Sequence, residues 1–250
     1  MKLDLDTVYN MDCLELMSMM SDDSVDTTIT SPPYNFNLRL HYGKYEVDLK
    51  SKQKYVDGYS DALSMDEYYE WQKKCISEMI RVTKHNVFYN IQIITGNKPA
   101  VFRLIGDFHN QIKELIVWDK TKSEPAMATG VLNSEFELII VFSNQSLGRT
   151  FDVAQFPRGT MSNVIRVGKK QKNNNSSVHK AVFPNLIPYT IIKNLTDESH
   201  VVFDPFMGVG TVAKAALSLN MRYVGSEINR AFIEEIETNV HRYKNNLFTN

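Results

Sequence analysis

The sequence predicts an α/β domain with a mainly parallel sheet covered by helices on both faces. Three observations carry that reading. Strand-like and helix-like segments alternate along almost the whole chain. A strand near Val201–Phe203 runs through a glycine turn straight into a helix. An earlier strand, Asp26–Thr30, ends on Pro32-Pro33, and two prolines in succession cannot continue a central strand.

Taken in order, a short strand at Thr7-Val8-Tyr9 leads into a helix through Leu14 to Met20. Asp26–Thr30 is the next strand, followed by Ser31-Pro32-Pro33-Tyr34 and a polar loop. Residues Ser64 to Val82 show helical spacing of Tyr68, Trp71, Cys75 and Met79, with Ser64 and Glu67 forming a capping box. Asn86–Ile94 reads as a buried strand, Lys98–His109 as a helix and Ile112–Trp118 as a strand. Phe136–Phe142 follows as an apolar strand that closes one end of the sheet like a hairpin. From Ser143 to Val178 the pattern dissolves into polar residues, Gly and Pro, which marks loops or a recognition segment. Periodicity returns with a helix at Pro184–Leu195, the strand at Val201–Phe203, a helix at Thr211–Asn220, a strand at Arg222–Gly225 and a last helix at Asn229–Tyr243.

With 250 residues, 43% of them hydrophobic, the chain can bury a sizeable core, and neither disorder nor a disulfide scaffold fits. Cys13 and Cys75 have no metal-ligand spacing, so they read as packing thiols in a reducing, cytoplasmic setting, with no metal site. The acidic N-terminal residues do not resemble a signal peptide, and no apolar run is long enough to span a bilayer. The net charge of −1 makes any nucleic-acid partner depend on local clusters. Two stretches supply them. Arg39 to Lys54 holds Arg39, His41, Lys44, Lys50, Lys52 and Lys54; Arg166 to Lys180 holds Arg166, Lys169, Lys170, Lys172 and Lys180. By composition alone, each is also an ordinary solvated loop.

Gly208 and Gly210 permit a tight turn and close backbone approach to a ligand, at a helix start whose N–H groups are unpaired. Glu227 stands just past the next strand, roughly twenty residues on, where an acidic side chain accepts from ribose hydroxyls. The turn has too few glycines for a pyrophosphate fingerprint and no P-loop lysine, which points to a nucleoside cofactor without phosphates. In Ser31-Pro32-Pro33-Tyr34, the Pro32 carbonyl and the Ser31 hydroxyl can accept from a substrate amine, and Tyr34 offers a ring for a base to stack on.

Together, Asp204-Pro205-Phe206-x-Gly208-x-Gly210-Thr211 and Thr30-Ser31-Pro32-Pro33-Tyr34-Asn35 resemble the cofactor and catalytic motifs of DNA amino-methyltransferases, which make N6-methyladenine or N4-methylcytosine. The catalytic motif precedes the cofactor motif, the permuted order of the family's beta class. Asn10-Met11-Asp12-Cys13 resembles the segment that contacts the cofactor adenine, and Trp118-Asp119-Lys120 with Glu135 to Phe142 resembles its later strands. His179 to Pro184, including Phe183, resembles the segment that opens the cofactor half.

The resemblance implies a Rossmann-like, seven-stranded mixed sheet with one antiparallel strand, typical of class I S-adenosylmethionine-dependent methyltransferases. It divides the single domain, 1–250, into a catalytic half (1–142), a target-recognition segment (143–178) and a cofactor half (179–250). Thr7–Tyr9 should lie beside Arg222–Gly225, bringing Asp12 to Glu227 around one cofactor. S-adenosylmethionine would be held by Asp12, Cys13, Phe183, Asp204, Pro205, Phe206, Gly208, Gly210, Thr211 and Glu227, and leave as S-adenosylhomocysteine. Catalysis would fall to Ser31, Pro32, Pro33 and Tyr34 on a base flipped out of the duplex, with DNA held by Arg39, Lys44, Arg166, Lys169, Lys170 and Lys172.

The Tyr34-Asn35 pair favours adenine narrowly, while a serine at position 31 leans to cytosine. No Pro-Cys context supports C5 methylation. An RNA or protein amide substrate, or a DNA-binding module without catalysis, are the competing readings. A homodimer and a cognate restriction enzyme are the compatible protein partners.

Overall fold

A computed structural model describes residues 3–41, 43–47, 61–122, 129–145, 148–168 and 183–247. Ten strands are formed among these residues: β1 (Thr7–Tyr9), β2 (Val25–Thr30), β3 (Leu38–His41), β4 (Lys44–Val47), β5 (Thr83–Ile91), β6 (Ile112–Asp119), β7 (Phe136–Phe142), β8 (Val164–Arg166), β9 (Val201–Asp204) and β10 (Arg222–Ser226). Six helices accompany them: α1 (Cys13–Met19), α2 (Met65–Val82), α3 (Lys98–Asp107), α4 (Leu186–Leu195), α5 (Thr211–Ser218) and α6 (Arg230–Leu247).

Eight strands form one sheet in the order β1-β10-β9-β2-β5-β7-β6-β8. All are parallel except β7, which runs against both β5 and β6. The expected pairing of the first strand with Arg222–Gly225 is present, Thr7 standing opposite Val224 and Tyr9 opposite Ser226. The central strands are apolar almost throughout because both their faces are covered. On one face, Leu16, Met17, Cys75, Ile76 and Met79 of α1 and α2 pack over the sheet. On the other, Ile187, Ile191, Val212, Ala216 and Ile236 of α4, α5 and α6 do the same. Cys13 and Cys75 sit in the first core with their sulfurs 3.9 Å apart, as packing thiols should.

The local signals act as anticipated at most ends. Ser64 and Glu67 form both bonds of the capping box that starts α2. Two features differ from the sequence expectation. The polar loop after Tyr34 contains the hairpin β3–β4, turned by Gly43 at φ 80°. Strands of four residues are too short to show periodicity. The sheet also has an eighth strand, β8, inside the segment read as loops; its three residues add in parallel to the edge of β6. With only three residues, β8 carries no pattern of its own and is ordered by the edge it joins.

The chain winds outward in both directions from the β9–β2 boundary. Open parallel sheets bind ligands in the crevice at such a point, outside the carboxyl ends of the strands.

Candidate active site

At that crevice lies a cleft of about 670 Å³. Every residue expected to act in catalysis or cofactor binding lines it, apart from Gly210. The strand ends explain the convergence. Ser31 follows β2, Glu227 follows β10, Asp204 ends β9, and Asp12 lies just past β1.

The glycine turn is held by two carboxylates. Asp204 accepts the Phe206 N–H at 3.0 Å and the Thr30 hydroxyl at 2.6 Å, tying the turn to the end of β2. Glu227 accepts the Gly208 N–H through Oε2 and the Asn229 N–H through Oε1, each at 2.8 Å. Gly208 has φ 54° and Gly210 has φ 80°. A β-carbon on Gly210 would stand 3.0 Å from Ile236, so its contribution is to let the turn close against α6 before α5 begins.

Asp204 is buried and Glu227 half-buried, and neither forms an ion pair among the described residues. Burial pushes the Asp204 pKa up to about 7, with the Glu227 charge adding to the rise. Burial raises Glu227 as well, partly offset by its backbone hydrogen bonds. Two desolvated carboxyl groups facing one cleft suit a cationic ligand, because a positive charge between them would stabilise their ionised forms.

Asp12 caps α1, its Oδ1 accepting from the Leu14 N–H at 2.8 Å and the Glu15 N–H at 3.3 Å. Asn10 donates to the carbonyls of Glu227 and Ile228, and the Glu227 N–H bonds back to Tyr9. These bonds fasten the first loop of the chain to one near its end, so Asp12 and Glu227 share one wall. Phe206 meets Trp71 edge-on at 5.7 Å, and Phe183 meets Trp118 edge-on at 6.0 Å, so both rings are packed as well as lining the cleft.

The proline loop is fastened from below. The Pro33 carbonyl accepts from Tyr68 at 2.9 Å and Gln72 at 3.4 Å. The Pro32 carbonyl has no partner among the described residues, which leaves it for a substrate. Asn35, at φ 60°, is fully buried and spends its amide on Leu63 and Gly96. It holds the loop rather than facing the cleft.

Beneath Ser31 lies a polar cluster that the sequence reading passed over. The Ser31 and Tyr34 hydroxyls are 2.8 Å apart, and Tyr34 donates to Glu137 Oε2 at 2.8 Å. Asn90 reaches Tyr34 and the same Glu137 oxygen, each at 2.7 Å, and Ser31 at 3.3 Å. Lys120 pairs with Glu137 Oε1 at 2.8 Å, with both side chains buried. The signal was present: a glutamate in an apolar strand and a lysine just past its neighbour need each other when buried.

Of the basic residues expected at DNA, Arg39, Lys44 and Arg166 do not line the cleft. Arg39 stacks over Phe36, itself a lining residue, at 4.6 Å, and Lys44 sits on the same hairpin. Arg166 meets Asp119 at 3.4 Å. Lys50, Lys52, Lys54, Lys169, Lys170, Lys172, His179 and Lys180 lie outside the described residues. At the opposite end of the strands, Asp26, His85 and His200 bring possible ligand atoms within 4.8 Å of one another. The two imidazoles stack with planes 13° apart. No helix among the described residues is long and apolar enough to cross a membrane.

The glycine turn, Glu227 and the proline loop thus meet at one crevice at the carboxyl ends of the central strands. The DNA methylase family of N6 and N4 methyltransferases matches residues 25–238, and the chain belongs to that family. Among its relatives, the type II methyltransferase M.BglII of Bacillus subtilis is 22% identical over 93% of this chain and 68% of its own length. M.BamHI of Bacillus amyloliquefaciens is 26% identical over 99% of this chain and 63% of its own length. The fold is shared with the cytosine-N4-specific PvuII DNA methyltransferase (TM-score 0.71, 16% identity, 92% of this chain and 84% of that one). It is also shared with M1.HpyAVI in complex with S-adenosylmethionine (TM-score 0.59, 16% identity, 93% and 98%).

Proposed function

We propose that this chain transfers the methyl group of S-adenosylmethionine to the exocyclic amino group of a base flipped out of DNA. The carrying observation is the meeting of the Ser31 hydroxyl and the Pro32 carbonyl, unpartnered among the described residues, with the two carboxylate-held walls of one cleft. Asp204, Glu227 and the turn between them would hold the cofactor, with Asp12, Cys13, Phe183 and Phe206 on the surrounding walls. The cofactor supplies an electrophilic methyl on sulfur.

The protein supplies position and polarisation. An aromatic amine is a poor nucleophile because its lone pair is delocalised into the ring. Accepting its two N–H bonds at Ser31 Oγ and the Pro32 carbonyl draws the nitrogen towards tetrahedral geometry and localises the pair. Tyr34, anchored through its hydroxyl, presents a fixed ring against which the base stacks.

Adenine N6 is the base favoured by the Tyr34-Asn35 resemblance. The alternative is N4 of cytosine, to which a serine at position 31 leans. Asn35 is occupied in holding its loop and offers nothing to a base, which leaves Ser31 as the discriminating residue. Residues 143–178 would form the target-recognition segment. In support, β8 ends with Arg166 beside Asp119, one residue from the cleft-lining Lys120. Incubation with tritiated S-adenosylmethionine and unmethylated DNA, followed by nucleoside mass spectrometry, tests the reading. N6-methyladenine or N4-methylcytosine supports it and names the base. Intact cofactor binding with label only in RNA or peptide overturns it.

A further inference from the structure

We propose that Glu137 is a positioning residue for methyl transfer. It would act through Tyr34 and Ser31 to orient the Ser31 acceptor face and to take up the proton that the methylated nitrogen sheds. The inference rests on the amino-methyltransferase reading.

Donor and acceptor counting sets the direction of the chain. A carboxylate only accepts, so the single Tyr34 proton is committed to Glu137 Oε2. The 2.8 Å contact between Ser31 and Tyr34 must then have Ser31 as donor. Tyr34 oxygen accepts from Ser31 and from Asn90, which uses both its lone pairs. The Ser31 oxygen has given its proton away, and the two Asn90 amide protons are taken by Tyr34 and Glu137 at 2.7 Å, so the 3.3 Å approach of Asn90 to Ser31 is not a full hydrogen bond. Its remaining electron density faces the cleft, where an amine would donate to it. Reversing the chain would turn the Ser31 proton towards the amine and repel it.

The same chain is a path out for a proton. As the N–C bond forms and the S–C bond breaks, sulfur gains an electron pair and becomes a thioether, and nitrogen gains a positive charge. A nitrogen in that state is a strong acid. Its proton passes to Ser31 Oγ as the Ser31 proton passes to Tyr34 and the Tyr34 proton to Glu137. No charge is left on the base, and no further reactant is needed. Among the described residues, the charged and titratable groups that meet Glu137 are Lys120 from the end of β6 and Tyr34 from the loop after β2. Asp204 and Glu227 line the same cleft.

Two variants separate this role from a merely structural one. Tyr34→Phe keeps the ring and the Lys120–Glu137 pair but cuts the relay. Glu137→Gln combined with Lys120→Met removes the acceptor without leaving a buried charge unpaired. Single-turnover transfer to unmethylated DNA is measured at saturating S-adenosylmethionine, with cofactor Kd and thermal melting alongside.

Both variants should be on the order of 100-fold slower, with a cofactor Kd within about twofold of wild type and an unchanged melting temperature for Tyr34→Phe. Glu137→Asp should recover part of the rate. If the double variant fails to fold, Tyr34→Phe decides alone. Variant rates within threefold of wild type refute the relay and leave the methyltransferase reading standing. Wild-type protein that binds cofactor but methylates no DNA refutes both.

Discussion

The charge state of Asp204 should make the stability of this domain depend on pH in a direction opposite to that of most carboxylates. Burial lifts its pKa from 3.8 to about 7. The folded protein therefore holds this proton where the unfolded chain has released it. The stabilisation is fully present below pH 3.8 and is lost as pH rises through about 7. Each unit is worth ~1.4 kcal/mol, so raising the pH from 5 to 8 should cost the apo-protein about 3 kcal/mol through this group. Asp204→Asn keeps an oxygen to accept from Thr30 and Phe206 and cannot ionise. Urea unfolding of both proteins at pH 5, 6, 7 and 8 reads the difference directly, since other groups cancel. The variant should gain on wild type by about 3 kcal/mol across that range. A difference that stays constant with pH would refute the burial argument. A cationic ligand beside Asp204 and Glu227 favours their ionised forms, so cofactor binding should release a proton near neutral pH. Calorimetry in buffers of different ionisation enthalpy detects that release, and Asp204→Asn should reduce it.

Gly210→Ala meets both a φ of 80° and a β-carbon position 3.0 Å from Ile236. It should lower stability by about 1–2 kcal/mol and weaken S-adenosylmethionine binding, read by thermal melting with and without cofactor. Thr30→Val preserves shape but removes a 2.6 Å bond to a buried carboxyl oxygen. A loss of roughly 1–3 kcal/mol is expected in chemical unfolding, because Asp204 is left under-satisfied. Neutralising Lys169, Lys170 and Lys172 together should weaken DNA binding and flatten its dependence on salt. A slope unchanged in a fluorescence titration would remove these lysines from the interface.

What the sequence disclosed, and what it withheld, follow one physical rule. Features set by local chemistry were legible. The proline stop after β2, the capping box of α2 and the strand–glycine–helix unit at 201–218 each act within a few residues of themselves. The meeting of Asp12 with Glu227 is not local, and it was reached only through the permuted motif order. Features decided by a distant partner were missed. The three residues of β8 become a strand because β6 offers an unpaired edge. For Asn35 a loop-stabilising amide and a base contact were equally open from the sequence, and only its bonds to Leu63 and Gly96, far along the chain, decide for the first. The cluster of Asn90, Lys120 and Glu137 needed the register of three strands before it could be seen.

That register also explains why the sheet carries one reversed strand. In a parallel strand, the residues facing the cleft come after the strand ends and depend on a loop for their placement. Because β7 runs the other way, its beginning lies at the cleft, and Glu137 stands inside the ladder, opposite Trp118. Its side chain is therefore placed by sheet hydrogen bonds, one residue into the strand. Lys120 is placed almost as firmly, its N–H bonded to the Glu135 carbonyl at 2.8 Å. A buried ion pair is a poor source of stability, since desolvating both charges offsets most of their attraction. Two apolar side chains in register would hold β6 to β7 at least as well. The pair makes sense at the cleft edge because it fixes a carboxylate under Ser31, and an apolar replacement would remove the oxygen to which Tyr34 donates.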